Sequence, residues 1–359
     1  MDIVGFGLRA TGDGFGSWEL TYSTPVPRHS LKPALKRGAL VAAANWPVII
    51  IQAVADSVFK ALIAMPLVGG IFLVALVVGA EPGALMSLAW RDLVATIVAS
   101  LMSRPVVLVA FLAALAIVVV GGSLFVFLVK GGTVGILVRG ERIAGPIERG
   151  PLHLRTVGRA SVFSLEAFEE SARSLFPRYA RLGIMLMAVY LASGAGYLAA
   201  VLASRSAGAG WWVMALFTSA FVAWITVINL LYLLMQIVIA SEDCSVASAS
   251  TRVAAFLRRK RRPVAAVFAV LLALVVFATG ASLLATAALG LIGFVPLLGL
   301  TVLPLQLVAW LFRGLVFQYI GLSSVGAYLM LYRGVSASAE RPAFSDAELR
   351  DLYGDPDVA

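Results

Sequence analysis

Residues 105–130, PVVLVAFLAALAIVVVGGSLFVFLVK, carry no charge until their last position, Lys130. As an α-helix this run would span ~39 Å, more than the ~30 Å thickness of a bilayer's hydrocarbon layer. The next residues, 131–159, read GGTVGILVRGERIAGPIERGPLHLRTVGR and bring in five arginines. Three more follow by Arg181. A neutral apolar run closed by a strongly basic segment predicts a membrane span entering a cytoplasmic loop, because cytoplasmic loops are enriched in Lys and Arg.

The rest of the chain repeats this alternation. Of its 359 residues 61% are hydrophobic and only 13% charged, so the sequence predicts an all-α polytopic transmembrane bundle. Residues 1–38 form a polar, Gly-rich cytoplasmic segment ending in Arg28, Lys32, Lys36 and Arg37. The membrane domain is expected over 39–335, with an acidic cytoplasmic tail at 336–359 in which Ser345 and Glu348 suggest a short capped helix. An apolar stretch at 40–80, broken by Pro47 and Pro66, reads as one bent helix or as a span plus a half-helix. Residues 83–103 show helical apolar spacing with Trp90 and Arg91, as an interfacial amphipathic helix would. Spans are predicted near 182–203 and 211–239, then from Pro263 to about Leu289. A Gly/Pro-broken segment, 290–304, leads to a last span ending near Tyr332.

Charge sets the threading. With the N-terminus, the large loop 131–181 and Lys130 at its edge, the basic loop 241–263, and the tail with Arg333 on one side, that side holds 23 of the 28 Lys and Arg residues. This partition requires 40–80 to cross once, giving six spans and both termini in the cytoplasm; a seven-span threading breaks it. The expected location is the cytoplasmic membrane. The net charge of +9 is explained by this topology, so no nucleic-acid partner is expected. The N-terminal stretch has neither a basic n-region nor an apolar h-region, so the first span is expected to act as its own insertion signal.

Four groups of residues stand out. Asn45, Gln52 and Asp56 fall on one helix face, and Lys60 follows Asp56 at the spacing of an ion pair, making a polar seam or the polar side of an interfacial helix end. Arg258, Arg259, Lys260, Arg261 and Arg262 adjoin a span; such a run attracts anionic lipid headgroups and also fixes topology. Leu165, Phe168, Ala172, Leu175 and Phe176 form an apolar helix face, either lying on the membrane surface or docking a partner. Arg313 is intramembrane if the last helix begins near Val302, and marks the outer interface if the span begins at Gly314. Asn229, Gln236, Gln306 and Gln318, with the small residues Gly194, Gly196, Ala281 and Ala285, suit helix–helix packing.

Absent motifs narrow the function. Both histidines, His29 and His153, lie in cytoplasmic segments, and Cys244 is the only cysteine. No span therefore supplies a His for haem or zinc, no intrachain disulfide forms, and no HExxH or Walker A pattern occurs. No cofactor and no catalytic activity are expected. The leading expectation is an accessory or lipid-associated scaffold component, in contact with anionic lipids and with a membrane-protein partner or a second copy. The rival is a transporter using 45–60 and the broken segment 290–304.

Four motifs, in order, carry a family resemblance: LKRGALVAAANWPVIII (35–51), FLVKGGTVGILVRGE (127–141), IVIASEDCSVASASTRVAAFLRRKRRP (237–263) and GAYLMLYRG (326–334). Their order resembles a diffuse group of six-span bacterial and archaeal membrane proteins, including the membrane domain attached to some glycerophosphodiester phosphodiesterases. In that group a span ending in an acidic residue is followed by an amphipathic helix and a basic-Pro entry to the next span, matched here by Glu242 or Asp243, 246–257 and 258–263. The resemblance implies an all-helical six-span fold over about 38–335. It carries over no phosphodiesterase activity, since 336–359 holds no catalytic domain.

Overall fold

Prolines and three positive-φ residues punctuate this chain into long helices. The computed structural model describes residues 31–78, 102–148, 157–206, 210–293 and 298–339, with isolated positions between them. Among the described residues there are seven helices and no strand: α1 (Leu31–Ala44), α2 (Trp46–Val78), α3 (Pro105–Ile143), α4 (Leu165–Ser206), α5 (Trp211–Glu242), α6 (Val246–Gly293) and α7 (Leu298–Ala339). Pro105 opens α3 where its missing N–H has no intrahelical partner to lose. Asp243, at φ 49°, takes the left-handed conformation that ends α5, and Gly145 and Gly208 take positive φ after α3 and α4. Inside α6, Lys260 leaves the helical region at φ −126°, because the ring of Pro263 crowds the preceding turn and kinks the helix.

Six helices, α2 to α7, are long and apolar enough to cross a membrane, so the protein is an all-α polytopic membrane bundle. Region 40–80 resolves into the short α1 and the long α2, contributing one span. The anticipated interfacial stretch 83–103, the N-terminal segment to residue 30 and the acidic tail lie largely outside the described residues.

Helix length explains where the core sits. The six long helices have 32 to 48 residues and would run ~48–72 Å, well beyond the ~30 Å a bilayer needs. The surplus gathers at one end, here termed the terminal end because α1 and the close of α7 meet there. Its core combines Val41 and Val48, Ile136 and Leu137, Leu175 and Tyr179, Ile237 and Ile239, Val253 and Phe256, and Tyr328 and Leu329. By contrast, the most apolar stretch of α4 contains no buried residue, and those of α3 and α6 are nearly as open. These far halves expose Leu191, Leu198, Trp211, Trp212 and Phe277, as lipid-facing surfaces do.

Glycines let the terminal end close. A Cβ on Gly38 of α1 would lie 2.6 Å from the backbone nitrogen of Ala327 in α7, and one on Gly132 of α3 would lie 2.7 Å from the Phe168 ring of α4. Gly194 and Gly196, read from sequence as close-approach positions, instead face open space, and Ala281 and Ala285 are exposed. The segment 131–181, anticipated as a loop, is mostly helix: α3 continues to Ile143 and α4 begins at Leu165. In the basic loop 241–263, only 243–245 interrupts the helices. Within the anticipated break 290–304, residues up to Gly293 and from Leu298 onward are helical, and 294–297 lie outside the described residues.

Candidate functional site

Two polar assemblies stand out, one at each level of the bundle. At the terminal end, Arg37 of α1 is buried and donates from Nε to Glu141 Oε1 of α3 at 3.1 Å and from Nη1 to Glu148 Oε2 at 2.7 Å. It also donates to the carbonyl oxygens of Glu141 and Gly145. Arg333 of α7 pairs with the other Glu141 oxygen, and Lys36 donates to the Glu148 carbonyl at 3.1 Å. Two guanidinium groups thus meet two carboxylates, with the side chains of Glu141 and Glu148 only 5% and 7% exposed. A neutral, fully bonded cluster tolerates burial that a lone charge would not. Beside it, Glu242 at the end of α5 accepts from Tyr332 and pairs with Arg252 of α6. Arg178 of α4 pairs with Asp243, and this hydrogen bond holds the Asp243 carboxyl below its ordinary value. Burial pushes the neighbouring Cys244 thiol up, away from the reactive thiolate.

The predicted seam divides along α2. Asn45 is completely buried; its Nδ2 donates to Val41 and Ala160 carbonyls at 3.0 and 2.8 Å, and its Oδ1 accepts from the Val162 N–H at 3.0 Å. It therefore splices the α1–α2 junction to the segment before α4. Gln52 is buried too, accepting from Thr133 Oγ1 of α3 at 3.0 Å. Asp56 and Lys60 turn elsewhere. They pair at 2.6 Å and line an open cleft of about 760 Å³ between α2, α6 and α7. Across it stand Arg313, Gln318 and Trp310 of α7 and Thr279 of α6. Arg313 sits well inside α7, which begins at Leu298, and its guanidinium lies 5.6 Å from the Phe317 ring.

No family model, curated protein or solved structure matches this chain.

The other predicted groups occupy defined positions. Arg258, Arg259, Arg261 and Arg262 are exposed around the kink of α6 and Lys260 is half-buried, while Phe256, Val264 and Val267 on the same helix turn inward. Of the anticipated docking face, Phe168 and Leu175 pack against Gly132, Gly131 and Gly135 of α3. Ala172 is buried with them, Phe176 is half-buried and Leu165 is exposed. That face is thus filled largely from within the chain. Sequence reasoning treated Arg37, Glu141, Glu148 and Arg333 as topology markers or passed over them. Nothing local links Arg37 to Glu141 across more than a hundred residues, although a carboxylate inside an arginine-rich helix end (VRGERI, 138–143) is a signal that could have been used.

Between α4 and α5 the contacts are polar and aromatic. Tyr190 donates to Asn229 Oδ1, Trp224 Nε1 donates to Ser193 Oγ at 3.0 Å, and Tyr197 stacks on Phe221 at 4.5 Å. These hold the pair together across the apolar region, as interhelical hydrogen bonds do in membranes.

Proposed function

We propose that this protein is a non-catalytic, lipid-associated scaffold or accessory component of the cytoplasmic membrane, with both termini on the cytoplasmic side. The observation carrying this reading is the division of labour among its polar residues. The buried ones, Arg37, Glu141, Glu148, Asn45 and Gln52, are consumed in tying helices together, while the arginines of 258–262 are exposed on a kinked helix with an apolar inner face. The Lys and Arg asymmetry supports the orientation. The motif order shared with membrane domains of some glycerophosphodiester phosphodiesterases supports the six-span plan and brings no activity with it.

Purification in native-membrane polymer discs, followed by lipid and protein mass spectrometry, tests this. The expected result is anionic phospholipid enriched over the surrounding membrane, with enrichment falling when residues 258–262 are all changed to Gln. Disc lipids identical to bulk membrane for both proteins, and no associated protein, would overturn the reading. A second reading, a proton-coupled transporter, is favoured by one observation: Asp56 lines an open cleft beside Lys60 and Arg313. A substrate flux in proteoliposomes that Asp56→Asn abolishes would establish it instead.

A further inference from the structure

The cleft between α2, α6 and α7 contains a charge imbalance that the buried cluster at the terminal end avoids. Asp56 is engaged by Lys60 at 2.6 Å, and Lys130 of α3 also lies within electrostatic range of it. Arg313 faces the same space, and among the described residues it has no carboxylate partner, only the face of Phe317. An arginine on an apolar membrane helix is costly unless an anion or water meets it. At the terminal end the chain supplies that anion, as Glu141 does for Arg37 and Arg333. At Arg313 it does not.

Depth and lining say what kind of anion fits. Lys60 lies about 27 Å along α2 from Val78, Arg313 about 22 Å along α7 from Leu298, and Thr279 about 21 Å along α6 from Gly293. Measured from these last described residues the backbone positions lie within a ~30 Å hydrocarbon layer, and both cations lean towards its near boundary, Lys60 onto Asp56 and Arg313 over Phe317, as long cationic side chains do when they reach for headgroups. Trp310, half exposed at this level, is a residue type that favours the headgroup region. Val54, Val58 and Leu311 complete the walls, so the cleft offers cations that reach towards the headgroups and apolar surface beside them. A soluble anion would use the first and leave the second bare. A lipid uses both.

We propose that this cleft binds one anionic phospholipid, its phosphate paired with Arg313 and its chains along the apolar walls of α2 and α7. Asp56 acts as a competitor for Lys60, so it weakens the site rather than forming part of it. This site is separate from the basic run 258–262, and requires only that the chain lie in a bilayer, not that it be a scaffold.

The test uses full-length protein in discs of phosphatidylcholine doped with phosphatidylglycerol, released into mild detergent for native mass spectrometry. Wild type is expected to retain a single phosphatidylglycerol. Arg313→Gln should lower its retention about fivefold, the loss of one cation's attraction to an anionic lipid. Asp56→Asn should raise retention by freeing Lys60, a sign reversal that a merely structural residue would not give. Thermal unfolding of both variants should stay near wild type, as both side chains border open space. Unchanged retention in both variants overturns the proposal. So does loss of the retained lipid only when 258–262 are neutralised, a result that leaves the scaffold reading standing. Displacement of the lipid by excess inorganic phosphate would overturn it in favour of a soluble-anion site.

Discussion

Arg37 and Arg313 are the same side chain in two different settings, and the contrast divides the molecule. Arg37 is buried, spends its donors on Glu141, Glu148 and two carbonyl oxygens, and fastens α1 to the end of α3. Arg313 borders an open cleft and meets only an aromatic face. At the terminal end, charge is structural: every guanidinium in the cluster is cancelled, because uncompensated burial would cost several kcal/mol. In the far half, charge is left available. The helices continue through both regions, but the packing that defines a unique structure is concentrated in the first.

The largest expected effect of breaking this contrast is at Glu141. Glu141→Gln leaves Arg37 with the carboxylate of Glu148 and takes from Arg333 its carboxylate, and should cost about 3 kcal/mol, the low end for breaking a buried pair because Arg333 retains some solvent contact. A lower unfolding temperature in mild detergent reads this out. Adding Arg333→Gln should restore part of it by restoring neutrality. The same kind of change in the other region, Asp56→Asn, removes an exposed pair one turn apart whose worth is about 0.3–0.5 kcal/mol. Equal losses at both positions would show that the two regions are not energetically distinct.

Asn45 comes next, because it marks where the terminal core begins. Asn45→Ala removes two donated and one accepted hydrogen bond and leaves the Ala160 carbonyl and the Val162 N–H without this partner. A loss of about 1–3 kcal/mol is expected for buried groups left unsatisfied. Faster proteolysis between residues 157 and 165, measured by limited digestion, would follow from the same loosening.

Much of this architecture is legible in the chain itself. The uncharged run 105–130 and its basic sequel predict a span, and the Lys and Arg partition predicts that 40–80 crosses once; α2 is the single candidate span there. Hydropathy has less to say about where a helix stops once it leaves the apolar layer. It therefore marks 131–143 and 165–181 as loop, although these segments are helical ends pressed together through Gly131, Gly132 and Gly135. Polar residues divide similarly. Asn45, Gln52 and Asp56 share a periodicity, yet the first two are drawn inward by Ala160 and Thr133, partners a linear pattern cannot identify. The Glu141 cluster was hidden for the same reason, since its members come from three helices far apart in sequence.

The smallest effect expected is at the rim of the terminal end. Asp243 is held below its ordinary value first by the hydrogen bond from Arg178 and then by that residue's charge. A carboxyl depressed in the folded state stabilises above its unfolded value and loses that contribution as pH falls through the folded one. Wild type should therefore show a slight extra drop in unfolding temperature on acidification through and below the ordinary carboxylate range. Asp243→Asn should lack that increment while still accommodating the left-handed backbone at φ 49°, which Asn tolerates well. The pair is exposed, so salt should shrink the difference towards zero. Raising salt should leave the penalty of Glu141→Gln largely intact, because ions reach a buried cluster poorly. That difference in salt response separates the two kinds of charge without relying on the size of either effect.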